Sequence, residues 1–363
     1  WSLLGFAAPS IIMMVFMSLY TIVDGIFISR FVGSSALSSL NIVYPMINVV
    51  IAIATMFATG GNAIVSRYLG QGQEKQAREA LTEFVVIGVL ISTVFAALVI
   101  LFEDPICRFL GANDELMADC KAYLTISMLF APACTLQTLF QSYFVTASRP
   151  GLGLWLTVAA GILNAVLDYV LIVPIPLGIA GAALATGFGQ LLPAVVGLIF
   201  FAIPRKTLRF CRFSFRLREL RDACINGSSE MIGQMATAIT TFLFNIILMR
   251  LAGSDGVAAM TILFYGQFLF NAFYLGFAIG IAPVVGYQYG AGNRKELRKI
   301  YRISFLFTVV SSIAMTLASI VLATPIVSVF TKEPETFALA DAGFKIFAVN
   351  FLFSGVNLVS SGF

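Results

Sequence analysis

The chain has 363 residues, 59% of them hydrophobic and only 11% charged, where a soluble domain carries roughly a quarter as Asp, Glu, Lys and Arg. So little charge excludes a mainly water-facing surface and implies that lipid covers most of it. The sequence also contains no histidine, which removes imidazole bases, histidine-ligated metals and Ser-His triads together.

The apolar run that begins at Trp1 is too long for the core of a secretory leader, so no cleavable signal peptide is expected. A helix needs about 20 residues to cross a hydrocarbon core. Ten stretches meet that length, approximately 3–28, 36–66, 81–102, 122–147, 152–173, 179–203, 226–250, 256–286, 303–324 and 346 to the end. The runs are continuous rather than alternating, which excludes the strands of a membrane barrel. Pro9, Pro45, Pro132, Pro193 and Pro283 lie inside them, as bundled membrane helices tolerate. The five cysteines show no ligand spacing and read as small apolar residues, with no disulfide framework.

The connections alternate in charge. Sixteen basic residues fall on one side, seven of them in the 204–222 connector and five between Arg294 and Arg302; six fall on the other, beside Glu103, Asp104, Asp114, Glu115 and Asp119. The positive-inside rule puts the first side, and the N-terminus, in the cytoplasm of an inner (cytoplasmic) membrane.

An offset of 220 residues aligns the chain with itself without gaps. Gly33-Ser34 falls on Gly253-Ser254, and Phe57, Ala58 and Gly60 fall on Phe277, Ala278 and Gly280. Gly70, Gly72, Lys75 and Arg78 fall on Gly290, Gly292, Lys295 and Arg298, and Pro105-Ile106 falls on Pro325-Ile326. Six helices per copy make the repeats parallel, related by an axis along the membrane normal. The predicted fold is therefore an all-α, two-lobed membrane bundle: residues 1–204 as the N-terminal lobe, 205–222 as a basic cytoplasmic linker and 223–363 as the C-terminal lobe. The repeat predicts two further helices beyond Phe363.

Of the 18 acidic residues, Asp24, Asp168 and Glu230 read as the ones well inside apolar spans. Each costs on the order of 2.5–3.5 kcal/mol at the bilayer centre, which marks them as functional candidates. Asp24 and Asp168 each lie about five residues from the outer end of their helices, and Thr186 about seven residues into the sixth. Asn164 precedes Asp168 by one helical turn and shares its face. Oxygen donors at one height suit a hard cation or a shared proton. The second copy carries Phe244 where the first has Asp24, so the cluster is not a demand of the scaffold. Pro9, on the helix of Asp24, removes a backbone hydrogen bond and offers a bend. In the second lobe Glu230, Gln234 and Asn245 are candidates for lining a cavity.

Leu19–Pro45 (LYTIVDGIFISRFVGSSALSSLNIVYP) resembles the first two helices of the multidrug and toxic compound extrusion (MATE) family. The paired loops RYLGQGQEKQAR and YQYGAGNRKELR, with GILNAVLDYVLI and GIAGAALATGFGQ, are similar to further family segments, nearest the bacterial branch with DNA-damage-inducible members. The resemblance implies a twelve-helix fold with a central cavity and alternating access. It also implies a secondary antiporter exporting cationic lipophilic drugs or toxins against H⁺ or Na⁺. The family's cation site falls on Asp24, Asn164, Asp168 and Thr186, its bending proline on Pro9 and, less closely, its seventh-helix acid on Glu230.

A flippase for lipid-linked oligosaccharides or polysaccharides is the alternative, though phosphate-bearing substrates call for midplane Arg or Lys, which the spans lack. An enzyme is not expected, because no nucleophile motif such as GxSxG is present. With no Walker motif, ATP is not the energy source within this chain. No cofactor beyond the coupling ion and no metal beyond Na⁺ at the coupling site are expected. The predicted partners are organic cations and the bilayer, not nucleic acid, with the chain as a monomer.

Overall fold

The computed structural model describes residues 3–32, 34–110, 112, 114, 116–204, 208–330 and 334–361. The side chains of Asp24 and Asn245 lie outside the described residues, as do those of Arg30, Asn41, Arg250 and Ser254; Glu115, Arg205, Lys206 and Lys332 lie outside them altogether.

Helix α1 (Leu3–Phe27) continues into a π-helical turn (Ile28–Val32). There follow α2 (Ser34–Gly70), α3 (Glu74–Leu101), short α4 (Glu103–Phe109), α5 (Met117–Leu129), α6 (Ala131–Thr146), α7 (Pro150–Ile172) and α8 (Gly178–Ala202). Helices α9 (Leu217–Gly290), α10 (Arg294–Phe330) and α11 (Pro334–Ser361) complete the chain. Among the described residues, eight helices are long and apolar enough to cross a membrane, nine if α5 and α6 form one bent span.

The stretch expected as one helix over 122–147 is two, bent by 51° between α5 and α6. Pro132 lies in the first turn of α6 and has no N–H to offer the Met128 carbonyl. The ring of Phe130 fills the corner, and only a glycine at 187 on α8 leaves room for it. The last span also begins earlier than expected, at Pro334.

Helix α9 holds two of the expected spans. A straight helix of 74 residues would be on the order of 110 Å long. Yet Ala223 and Gly227 near its start, and Gly286 and Gly290 at its end, all pack against the last turns of α2. The chain must therefore reverse within α9.

The internal repeat appears as duplicated geometry. Gly72 and Gly292 take φ values of 72° and 69°, a left-handed conformation that glycine adopts without steric cost. Both end their helices with matching bonds: Gly72 N–H to the Leu69 carbonyl and Gly292 N–H to the Tyr289 carbonyl, each at 3.1 Å. The equivalents Phe57 and Phe277 are both buried.

The two repeats meet through glycine at the end that carries the basic loops. A methyl group on Gly70 would overlap the Tyr287 carbonyl, and one on Gly290 the Arg67 carbonyl. On one flank, Gly60 abuts Ala223 and Gly227 abuts Met56. On the other, a methyl on Gly276 would lie 2.6 Å from Ile11 Cα and one on Gly280 2.8 Å from Ala7 Cα. Backbone therefore touches backbone, and the basic end is shut.

Candidate cation and substrate site

Helices α1 and α7 run side by side because Gly161 clears space for α1. A methyl there would lie 2.8 Å from the Phe16 ring and 3.2 Å from that of Tyr20. Asp168 is seven residues beyond Gly161, and Asp24 is eight beyond Phe16. Both helices start at the basic end, so at about 1.5 Å per residue the backbones of residues 24 and 168 share a level to within about one turn. The Asp24 side chain itself lies outside the described residues.

Helix α8 approaches the same face of α7 at Gly189, where an added methyl would lie 3.2 Å from Asn164 Cβ. One turn earlier on α8, the Thr186 hydroxyl lies 3.5 Å from Asn164 Nδ2, which donates to it. Asn164 is 4% exposed and Asp168 1%. Three of the four candidate oxygen-bearing residues are thus described, with Asn164 in contact with Thr186 and Asp168 one turn further along the same buried face. A buried carboxylate of this kind is tolerated only with compensating charge or hydrogen bonds.

Thr157, buried two turns nearer the basic end of α7, accepts a hydrogen bond of 3.2 Å from Gln141 Nε2, which also lies 3.9 Å from Met17 Sδ. This layer joins α1, α6 and α7 beneath the acidic level. Thr157 continues the helical spacing of Asn164 and Asp168 toward the basic end, a signal present in the sequence.

Pro9 lies in α1 between Ala7 and Ile11, the residues that Gly280 and Gly276 press against. The bend candidate therefore sits inside the contact between the repeats. Glu230 and Gln234 fall one turn apart on the first half of α9, both partly buried, and the side chain of Asn245 lies outside the described residues.

One acidic residue was misplaced from sequence. Glu83, at the edge of the third span, is fully buried, because residues 208–216 fold over it. The Arg216 N–H donates to Glu83 Oε1 at 2.9 Å. The Arg216 guanidinium reaches Glu79 at 2.5 Å and Glu219 at 2.8 Å, and Tyr68 donates to Glu219 at 2.8 Å. The Arg216 guanidinium is held above its usual value, chiefly by the hydrogen bond to Glu219. Hydropathy cannot reveal this, since the burial comes from a distant segment.

The sequence profile of the MatE family matches residues 9–170 and 231–363. The chain belongs to the MatE family. This makes it a multi-pass membrane transporter of a multidrug efflux family, and not an enzyme. It is 21% identical over 363 residues to the multidrug export protein MepA of Staphylococcus haemolyticus, covering 99% of this chain and 80% of that one. It is 22% identical to MepA of Staphylococcus aureus over 380 residues, with the same coverage. The fold matches a structure described as the outward-facing conformation of a multidrug resistance MATE family transporter. That match has a TM-score of 0.92 and 20% identity, covering 99% of this chain and 82% of that one. The MatE fold is thus common to sequences that share about a fifth of their residues.

Proposed function

We propose that this MatE protein is a secondary antiporter that exports cationic, lipophilic compounds against inward H⁺ or Na⁺ by alternating access. The observation that carries the reading is the buried Asn164–Asp168 face of α7 with Thr186 against it, beside the helix that holds Asp24. Buried oxygen donors at one level can hold a proton or Na⁺ as cargo. The domains are a first lobe over 1–204, a linker over 205–222 and a second lobe over 223–363. The basic loops and the N-terminus face the cytoplasm of the inner membrane, and the transporting unit is a monomer.

In this reading α1 is the coupling element. It carries Asp24 beside the acidic level and Pro9 within the glycine contact at the basic end. Loading the cation site neutralises charge among the carboxylates, changes the packing of α1 on α7 and bends α1 at Pro9. The bend lifts Ala7 and Ile11 off Gly280 and Gly276 and opens the shut end. Glu230, Gln234 and Asn245 would then line a cavity in the second lobe for an organic cation.

The test is transport of a fluorescent organic cation by proteoliposomes under separate pH and sodium gradients. The wild type should respond to at least one gradient, and Asp24→Asn and Asp168→Asn should lose that response. Equal gradient-driven transport by wild type and both variants would remove the cation site from the mechanism.

A further inference from the structure

We infer that the first three turns of α10 form a binding site for the phosphate headgroup of an anionic phospholipid. Arg294, Lys295, Arg298, Lys299 and Arg302 lie on one face of the helix, are all exposed, and with Ile303 line an open groove of about 500 Å³. The acid within this stretch is Glu296, 3.8 Å from Lys299, which leaves a large positive excess.

The internal repeat shows that this face is not simply an ordinary basic loop. Its equivalents in the first copy are Glu74, Lys75, Arg78, Glu79, Thr82 and Glu83. There the 208–216 segment covers the later half of the face, at Glu79, Thr82 and Glu83, while Glu74 and Lys75 stay exposed. Thr82 Oγ1 accepts from Cys211 N at 3.2 Å, and Arg216 meets Glu79 and Glu83. One helical face of one scaffold thus receives a covering segment that brings positive charge to acidic side chains. In the second copy, acids at three of the six positions are replaced by Arg294, Lys299 and Ile303. The second copy therefore presents a basic face where the first presents an acidic one, and by charge complementarity it suits an anionic group.

A lipid fits better than a soluble anion because the groove runs into apolar surface. Ile303, Phe305, Leu306 and Val310 are exposed on the next turns of α10, and Tyr301 stacks on Phe305 with ring centroids 6.1 Å apart. A phosphate on the arginines leaves its acyl chains against this strip. Guanidinium groups suit phosphate by paired donation, and juxtamembrane basic residues contribute about 1 kcal/mol each toward anionic lipid.

Native mass spectrometry of the detergent-purified protein with equal phosphatidylglycerol and phosphatidylcholine provides the test. The wild type should retain phosphatidylglycerol with a preference of at least about tenfold. Arg298→Gln/Lys299→Gln/Arg302→Gln should lose most of that preference, while Arg212→Gln/Arg218→Gln in the linker should keep it. If the triple variant does not insert, the single variants Lys299→Gln and Arg302→Gln should each lower the preference part of the way. Equal retention of the two lipids by the wild type, an undiminished preference in the variants, or displacement of the lipid by millimolar inorganic phosphate would overturn the proposal.

Discussion

Gly70 and Gly290 occupy the same place in the two repeats, and each presses on a backbone carbonyl of the other repeat, Gly70 on Tyr287 and Gly290 on Arg67. Residues 67 and 287 are themselves equivalent, so the contact is unchanged when the repeats are exchanged.

Alanine at either glycine places a methyl group against backbone that cannot rotate away. Overpacking of this kind costs about 1–3 kcal/mol, or roughly 5–150-fold in an open-to-closed equilibrium. Gly70→Ala and Gly290→Ala should each shift the protein toward opening at the basic end. The measurement is alkylation of Cys224, next to Ala223 at the same interface, which should accelerate in both variants. Unchanged Cys224 reactivity would show that the contact does not hold that end shut.

Separating α1 from α7 should uncouple transport without touching an oxygen donor. In Gly161→Val the side chain must displace Phe16 or Tyr20. Gradient-driven transport should fall while binding of an organic cation to the detergent-purified protein remains. Loss of binding in parallel with transport would show that α1 and α7 serve the substrate site itself.

Removing the linker arginine should loosen the first repeat. Arg216→Gln removes the guanidinium from Glu79, which keeps Lys75 at 3.9 Å, and from Glu219, which keeps the Tyr68 hydroxyl; both carboxylates are mostly buried, and under-compensated buried charge is costly. Since Arg216 is itself 36% exposed, solvent screens the pair and the loss should be about 1–2 kcal/mol, read as a lower melting temperature. The folded-state guanidinium lies above its ordinary value. Its contribution is therefore fully present at neutral pH and is lost only as pH rises through that raised value. The stability gap between wild type and variant should stay constant from neutral to mildly alkaline pH.

Thiol reactivity should report the packing of α4. Burial raises the Cys107 thiol to about 11, which lowers its thiolate fraction at neutral pH by roughly a hundredfold relative to a free thiol. Peptide mapping after brief maleimide treatment should find Cys211, in the linker and partly exposed, modified well before Cys107. The reverse order would mean that α4 opens readily.

Much of this architecture is legible in the amino-acid sequence, because spans of about 20 apolar residues and a gapless repeat are strong signals. The shared face of Asn164 and Asp168 follows from helical spacing, and the structure adds the Thr186 contact from α8. The 51° break at Phe130 was missed because a proline inside a membrane span is usually accommodated; here Gly187, 57 residues later, decides the outcome. Glu83 escaped for a related reason. It sits at a span edge where hydropathy is indifferent, and only Arg216 from the connector makes the position an interior one. The sequence thus discloses periodic features, while those set by one distant partner stay hidden until the fold brings the partners together.

The exchangeable glycine contact also bears on ancestry. Two separate copies of a six-helix chain, meeting about a twofold axis, would make the same pair of contacts with no linker between them. Joining such copies into one polypeptide frees each to change alone, which is how one half can carry Asp24 and the other Phe244 while both keep a common surface.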